Sequence, residues 1–200
     1  MQEIIQKIHQ SPFKVAIVSS GGGTEAISSL LQVPGASNTI LESYIPYAKE
    51  SMDAYLNKKP DHYCSMQTCL SMAANAYKSC SSIAKNIKSK HLLGIAITAS
   101  LATTYKKIGD HKFFIALQTS SYTKSIECIL DKNTRSRKEE EKLIADYVMH
   151  LLGEACGIKV AKPSHNEDIH IHKTIAEKSW IKLLNNDVNY VSSSNSKPEL

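Results

Sequence analysis

Three groupings in this sequence carry residue types that can do chemistry. The first is Ser19-Ser20-Gly21-Gly22-Gly23, between the apolar run Val15-Ala16-Ile17-Val18 and a helical pattern that starts near Thr24. Backbone N–H groups in a glycine turn at a helix start suit an anion, because unpaired donors and the helix dipole point there. Two hydroxyls at the strand end add phosphate contacts or a nucleophile. The triplet lacks the Lys of a Walker loop and the spacing of a dinucleotide fingerprint. Alone, it reads as a tight strand–helix turn, and as a ligand site only with further context.

The second grouping is Thr98-Ala99-Ser100, followed by Lys106, Lys107 and His111. Small hydroxyl residues with two lysines suit a phosphorylated ligand; the alternative is a flexible surface loop. Both groupings follow apolar runs that read as buried strands. Neighbouring parallel strands place their C-terminal ends together, where ligands bind in open α/β sheets. The expectation is that Ser20, Gly21, Gly22, Gly23, Thr98 and Ser100 line one ligand pocket. The third grouping is His165, His170 and His172. A metal site needs three or four converging ligands, and this segment reads as a linker with solvated histidines, so no metal is expected.

Positioning these residues falls to the following elements. Ile4, Ile5 and Ile8 mark a short amphipathic helix over residues 2–10. The Lys14–Val18 segment reads as a buried strand. A helix from Thr24 carries Ala26, Ile27, Leu30 and Leu31 inward and stops at Pro34-Gly35. Thr39 to Tyr47 reads as a strand, held to an edge or an end by Pro46. Lys49 to Leu56 is a short helix. Cys69, Ala73, Ala76, Cys80, Ile83 and Ile87 recur at helical spacing over residues 66–87. Leu92 to Thr98 is a second buried strand. Phe113 to Thr119 and Tyr122 to Leu130 form a hairpin about Ser120-Ser121, with one side of the second arm wet. Ser136 and Glu139 have capping-box spacing and open a helix striped by Leu143, Ile144, Tyr147, Val148, Leu151 and Leu152, with Gly157 as its stop. The charge run Arg135 to Lys142 reads as a solvated helix start. Residues 162–168 read as a polar linker, Ile175 to Leu184 as a short helix anchored by Trp180, and residues 191–200 as loose. Strands alternating with long helices argue for an α/β fold, a three-layer α/β/α sandwich with a mixed sheet. The expected division is one domain over residues 1–160 and a linker-like extension over 161–200.

Composition limits the function classes. The chain has 200 residues, with 24 Lys+Arg against 19 Asp+Glu and a net charge of +5. The basic residues are scattered, without aromatic interleaving, so no nucleic-acid partner is expected. No apolar run approaches the ~18 residues that span a bilayer, and the N-terminus lacks a signal-peptide pattern. A cytoplasmic location and no membrane partner follow as expectations. The five cysteines, Cys64, Cys69, Cys80, Cys128 and Cys156, show no Cys-x-x-Cys pair. They read as small buried hydrophobes in a reducing compartment.

The joint pattern resembles a known family. Val18-Ser19-Ser20-Gly21-Gly22-Gly23-Thr24-Glu25-Ala26-Ile27, Val33-Pro34-Gly35-Ala36-Ser37 and Leu41-Glu42-Ser43-Tyr44-Ile45-Pro46-Tyr47 are similar to the CinA C-terminal domain, known as a nicotinamide mononucleotide (NMN) deamidase. The likeness continues through Tyr63-Cys64-Ser65, Gly94 to Thr103 and Gly109-Asp110-His111, and covers roughly residues 5–158. It implies an α/β/α sandwich and hydrolysis of the NMN carboxamide by a Ser nucleophile with a Lys base, without a cofactor. In the family a Glu-Ser-Cys-Thr-Gly-Gly motif opens the first helix, and a Tyr-Ser-Asn-Glu-Ala-Lys motif follows. By position the nucleophile falls on Ser19, the paired glycines on Gly22 and Gly23, and the motif tyrosine on Tyr47.

The departures matter. The motif glutamate is Val18, the motif lysine falls on Met52, and the family's Gly-Ile-Ala-Gly-Pro loop becomes Ala99-Ser100-Leu101-Ala102-Thr103. A thioether cannot take a proton; Lys49, one helical turn earlier, is the nearby replacement. The resemblance thus implies Ser19, Tyr47 and Lys49 as catalytic candidates. It implies a domain that binds a pyridine nucleotide with weak or no deamidase activity. The alternative is an active Ser-dependent amidohydrolase with a relocated base. The glycine triplet and Val-Pro-Gly-Ala-Ser pattern resemble a divergent branch in which a nucleotidyltransferase-like domain often follows. The expected partners are a small-molecule pyridine nucleotide and further copies of the chain in a homo-oligomer.

Overall fold

The computed structural model describes residues 1–105, 107–184 and 188–190. Expectations for Lys106 and for the tail 191–200 fall outside the described residues. In chain order the elements are α1 (Gln2–Gln10), β1 (Lys14–Ser20), α2 (Thr24–Gln32), β2 (Ile40–Tyr44), α3 (Lys49–Leu56), α4 (Met66–Ile83), β3 (Leu92–Ser100), β4 (His111–Gln118), β5 (Tyr122–Leu130), α5 (Arg137–Ala155), β6 (Ile169–Ile175) and α6 (Lys178–Leu184).

The sheet has six strands in the order β2-β1-β3-β4-β5-β6. β1 runs parallel to β2 and β3, and every later pairing is antiparallel. This is the mixed α/β sheet expected from the sequence. β1 lies between two parallel neighbours, so its apolar run is covered on both faces; Val15, Ala16 and Ile17 are fully buried. From β1 the chain goes one way to β2 and returns on the other side as β3. That reversal creates a crevice at the strand ends.

Alternation along β1 and β3 splits the core in two. Val15, Ile17, Ile95 and Ile97 face α1, α2 and α5, together with Leu30, Phe113 and Tyr147. Ala16, Val18 and Ala96 face α3 and α4, with Met52, Cys69, Met72 and Ala73. Gly94 explains how closely α4 sits on β3: a Cβ at that position would run into the Ala73 carbonyl and the Tyr77 backbone. The thiols of Cys69 and Cys80 fill the same small-residue seam and donate to the Ala96 and Leu93 carbonyls at 3.4 and 3.2 Å. Burial pushes the Cys80 thiol up to about 12, as befits a packing residue. All five cysteines are free.

The capping box forms as its spacing predicts. The Glu139 N–H donates to Ser136 Oγ at 3.3 Å, and the Ser136 N–H donates to Glu139 Oε2 at 2.7 Å. The hairpin turn also forms, with Thr119 Oγ1 accepting from the N–H groups of Ser121 and Tyr122.

Several expectations are corrected. β2 stops at Tyr44, before Pro46, and α4 stops at Ile83. β3 continues to Ser100, because Thr98, Ala99 and Ser100 pair with Phe114, Phe113 and Lys112 of β4. Residues 169–175 form β6, which pairs along the length of β5, so the helix expected from Ile175 begins only at Lys178. Trp180 is 45% exposed and is not the anchor. The anchor is a network that the sequence reading took for linker and solvated charge. Arg135 grips the Glu167 carboxylate with both guanidinium nitrogens, and Glu167 Oε2 also meets His165 Nδ1 at 2.9 Å. His165 Nε2 meets the Tyr147 hydroxyl at 2.7 Å. No helix among the described residues is long and apolar enough to cross a membrane.

Candidate functional site

The end of β1 carries two serines that alternation sends to opposite faces. Ser19 is fully buried, and its hydroxyl donates to the Gly22 carbonyl at 2.5 Å. Ser20 donates instead to the Pro46 carbonyl at 3.1 Å, tying β1 to the segment that leads into α3. The turn between them and α2 needs glycine. Gly21 has φ +80°, and a Cβ there would collide with the Ala99 carbonyl oxygen. Ser20 is also paired in register with Thr98. The two groupings therefore lie side by side at one rim, as the strand arrangement predicts.

The helix start is not open to an incoming anion. Glu141, from the first half of α5, supplies the anion itself. The Gly23 N–H donates to Glu141 Oε2 at 2.7 Å, and the Glu25 N–H and Thr24 hydroxyl donate to Oε1 at 3.2 and 2.7 Å. One turn earlier on α5, Arg137 donates to the Gly21 and Ala102 carbonyls at 3.1 and 3.2 Å. Glu140 lies fully buried between them, accepting from the Ala102 N–H at 2.6 Å and meeting His111 Nδ1 at 2.7 Å. The start of α5 is thus the clamp that holds the rim loops, not the solvated face expected from its charges. The sequence hint was three adjacent glutamates on a helix whose stripe lies against β1 and β3. Glu139 has its partner in the capping box, but those of Glu140 and Glu141 are about thirty or more residues away along the chain and have no local signature.

Tyr47 is 69% exposed. With Gly21, Gly22, Thr24, Arg137, Lys138 and Glu141 it lines an open cleft of about 440 Å3 above the glycine turn. Lys49 is exposed, and its ammonium sits 5.9 Å from the centre of the Tyr63 ring. Met52, which the sequence resemblance sets at the place of the base, is 1% exposed in the core cluster on the α3–α4 side, whereas the Ser19 hydroxyl is turned to Gly22. Thr98 donates to the Tyr63 carbonyl at 2.9 Å. Ser100 accepts from Lys107. The expected pocket residues therefore divide. Gly21 and Gly22 lie in the cleft with Tyr47, Ser19 is sealed beneath it, and Ser20, Thr98 and Ser100 are held by carbonyls and by Lys107 beside it.

A larger depression, of about 560 Å3, lies at the far end of the sheet between β5 and β6. Glu127, Asp131, Glu167 and Asp168 line it, and their charge opposes a phosphorylated ligand. Among the described residues, no three His, Cys, Asp or Glu side chains are grouped so as to hold a metal ion.

No protein-family model matches the sequence, and no curated protein does. Solved structures do match in fold. The competence/damage-inducible protein CihA from Agrobacterium tumefaciens superposes with a TM-score of 0.59 at 14% identity, over 77% of this chain and 94% of that one. A CinA superfamily protein from Enterobacter cloacae gives 0.61 at 13% identity, over 77% and 91%. A competence or damage-inducible protein from Enterobacter asburiae gives 0.61 at 14% identity, over 77% and 97%. With its mixed sheet and its rim of glycine turn and β3 loop, the chain has a CinA-like fold.

Proposed function

We propose that this domain binds a small pyridine nucleotide in the cleft above the glycine turn and hydrolyses its carboxamide poorly or not at all. The observation that carries this reading is the state of Ser19. A nucleophile must be reachable and must pass its proton to a base. Ser19 is fully buried, and its hydroxyl is committed to the Gly22 carbonyl. Met52 stands buried where the family's lysine would be. The cleft itself suits a mononucleotide. Arg137 and Lys138 offset the Glu141 carboxylate, which the α2 start already holds, and can meet a phosphate, and the exposed Tyr47 ring offers a face for a flat heterocycle. Its volume lies within the roughly 300–1,000 Å3 of small-molecule sites. Assembly into a homo-oligomer belongs to the same proposal.

Calorimetric titration with NMN and with nicotinate mononucleotide, alongside an ammonia-release assay, tests the reading. Binding that weakens at least fivefold in Arg137→Ala, with ammonia release no faster than in Ser19→Ala, supports it. Rapid ammonia release that Ser19→Ala abolishes overturns it, as does the absence of nucleotide binding.

A further inference from the structure

β3 runs to Ser100, and the loop that follows folds back over its end. Leu101 is 2% exposed, and Ala102 is pinned by Glu140 and Arg137, so the position of Ser100 is fixed from the next residues onward. Lys107 comes off the returning loop, and its Nζ meets Ser100 Oγ directly, with the Leu101 carbonyl 3.5 Å away. Lys132 holds the neighbouring Ile108 carbonyl at 2.9 Å, which secures the loop on the far side of Lys107. Among the described residues Lys107 forms no ion pair with a carboxylate. Both Ser100 and Lys107 are partly exposed, in contrast to Ser19. A hydroxyl within hydrogen-bond reach of an amine, at a strand end open to solvent, is the arrangement that nucleophilic catalysis uses.

We propose that Ser100 and Lys107 form a nucleophile–base pair that accepts an acyl or phosphonyl group from an activated ester, amide or phosphonyl compound. The neutral Lys107 amine takes the Ser100 Oγ proton as Oγ bonds to the electrophilic carbon or phosphorus. For a carbonyl substrate the π pair moves onto oxygen and returns as the bond to the leaving group breaks. The leaving group departs with the proton that Lys107 holds. Water then gives a proton to the same amine as its oxygen bonds to the acyl carbon, and the bond from that carbon to Ser100 Oγ breaks as Oγ takes the proton back. Burial holds the Lys107 ammonium below the ordinary lysine range, opposed by Cys64 and Glu140 and assisted by Arg137 and Lys132. Lys112 of β4 stands opposite Ser100 in register, with its ammonium over the Phe114 ring at 5.7 Å. This pair does not depend on the nucleotide cleft, and Ser19 takes no part in it.

The full chain treated with a fluorophosphonate tests the proposal, since attack forms a P–O bond and expels fluoride, with the serine proton passing to Lys107. Peptide mass mapping should place one adduct on Ser100. Ser100→Ala should carry none, while Ser100→Cys should still be modified at residue 100, which separates lost chemistry from lost fold. Lys107→Met should slow labelling at least tenfold, and Lys107→Arg should not restore it, because a guanidinium stays protonated. The labelling rate should rise with pH with a midpoint below that of an ordinary lysine. An adduct on Ser19, Ser20 or Cys64 instead, or a rate indifferent to Lys107→Met, overturns the proposal. Calorimetry with NMN on Ser100→Ala reads the cleft separately, so failure of one proposal is distinguishable from failure of the other.

Discussion

The turn after β1 and the loop after β3 are built from the same stock of small and hydroxyl residues, yet they end in opposite states. After β1 the polar groups are taken up by partners within the chain. Ser19 donates to Gly22, and the first N–H groups of α2 hold the Glu141 carboxylate. After β3 the serine meets a lysine at the surface. The difference lies in the partners rather than in the motif. A serine whose hydroxyl closes a turn has no proton to give a base, whereas a serine that faces an amine has a base within reach. A helix N-terminus filled by a carboxylate of the same chain has already spent its attraction for anions.

Breaking the contact between the two loops should have the largest effect. Gly21→Ala forces a side chain into a left-handed backbone and against the Ala99 carbonyl. We expect a loss of about 3 kcal/mol in urea unfolding; a change below 1 kcal/mol would show that the loops are not locked together.

The far end of the sheet offers a control for the rim. Glu167, held by Arg135, has its carboxyl depressed to about 2. A depressed acid adds stability above its unfolded pKa and loses it as pH falls through the folded value. Stability should therefore fall between pH ~4.5 and 2, and Glu167→Gln should flatten that limb and cost about 2 kcal/mol at pH 7. Nucleotide binding at neutral pH should stay as in the native chain, measured by calorimetry.

Glu141→Ala sharpens the comparison most directly. Removing the internal carboxylate should cost about 1 kcal/mol, as the loss of a helix cap does. It should also open the α2 start to an external anion, so inorganic phosphate should raise the melting temperature of the variant more than that of the native chain. An equal response in both would mean that Glu141 does not occupy the anion position. The smallest effect, about 0.5–1 kcal/mol, is expected for Ser20→Ala, which removes one part-buried bond to the Pro46 carbonyl.

Much of this frame is legible in the sequence because its signals are local. Val15 to Val18 and Leu92 to Ile97 are apolar without interruption, as strands covered on both faces must be. Ser136 and Glu139 satisfy each other within one turn of helix. The α/β sandwich with a mixed sheet follows from these elements, and its CinA-like character from the resemblance of the joined motifs. In β6, Ile169-His170-Ile171-His172 alternates with a period of two, but the run is short, polar and largely exposed, and pairing with β5 is what fixes it as a strand. The site is less legible than the fold. Residue types pointed to Ser19, Ser20 and Ser100 alike, but Glu141, Arg137 and the burial of Met52 decide which of them can act. Those are tertiary facts, fixed by contacts between α5, α3 and the strand ends.

The parallel pairing of β1 with β3 also has a temporal consequence. Lys14 of β1 is matched with Leu92 of β3, so the ribosome delivers the second neighbour about 80 residues after the first strand. At ~5–20 residues per second this interval is roughly 4–16 s. For most of it the apolar run of β1 has β2 as its one native strand neighbour. That leaves β1 an open, apolar edge of the nascent chain until β3 arrives.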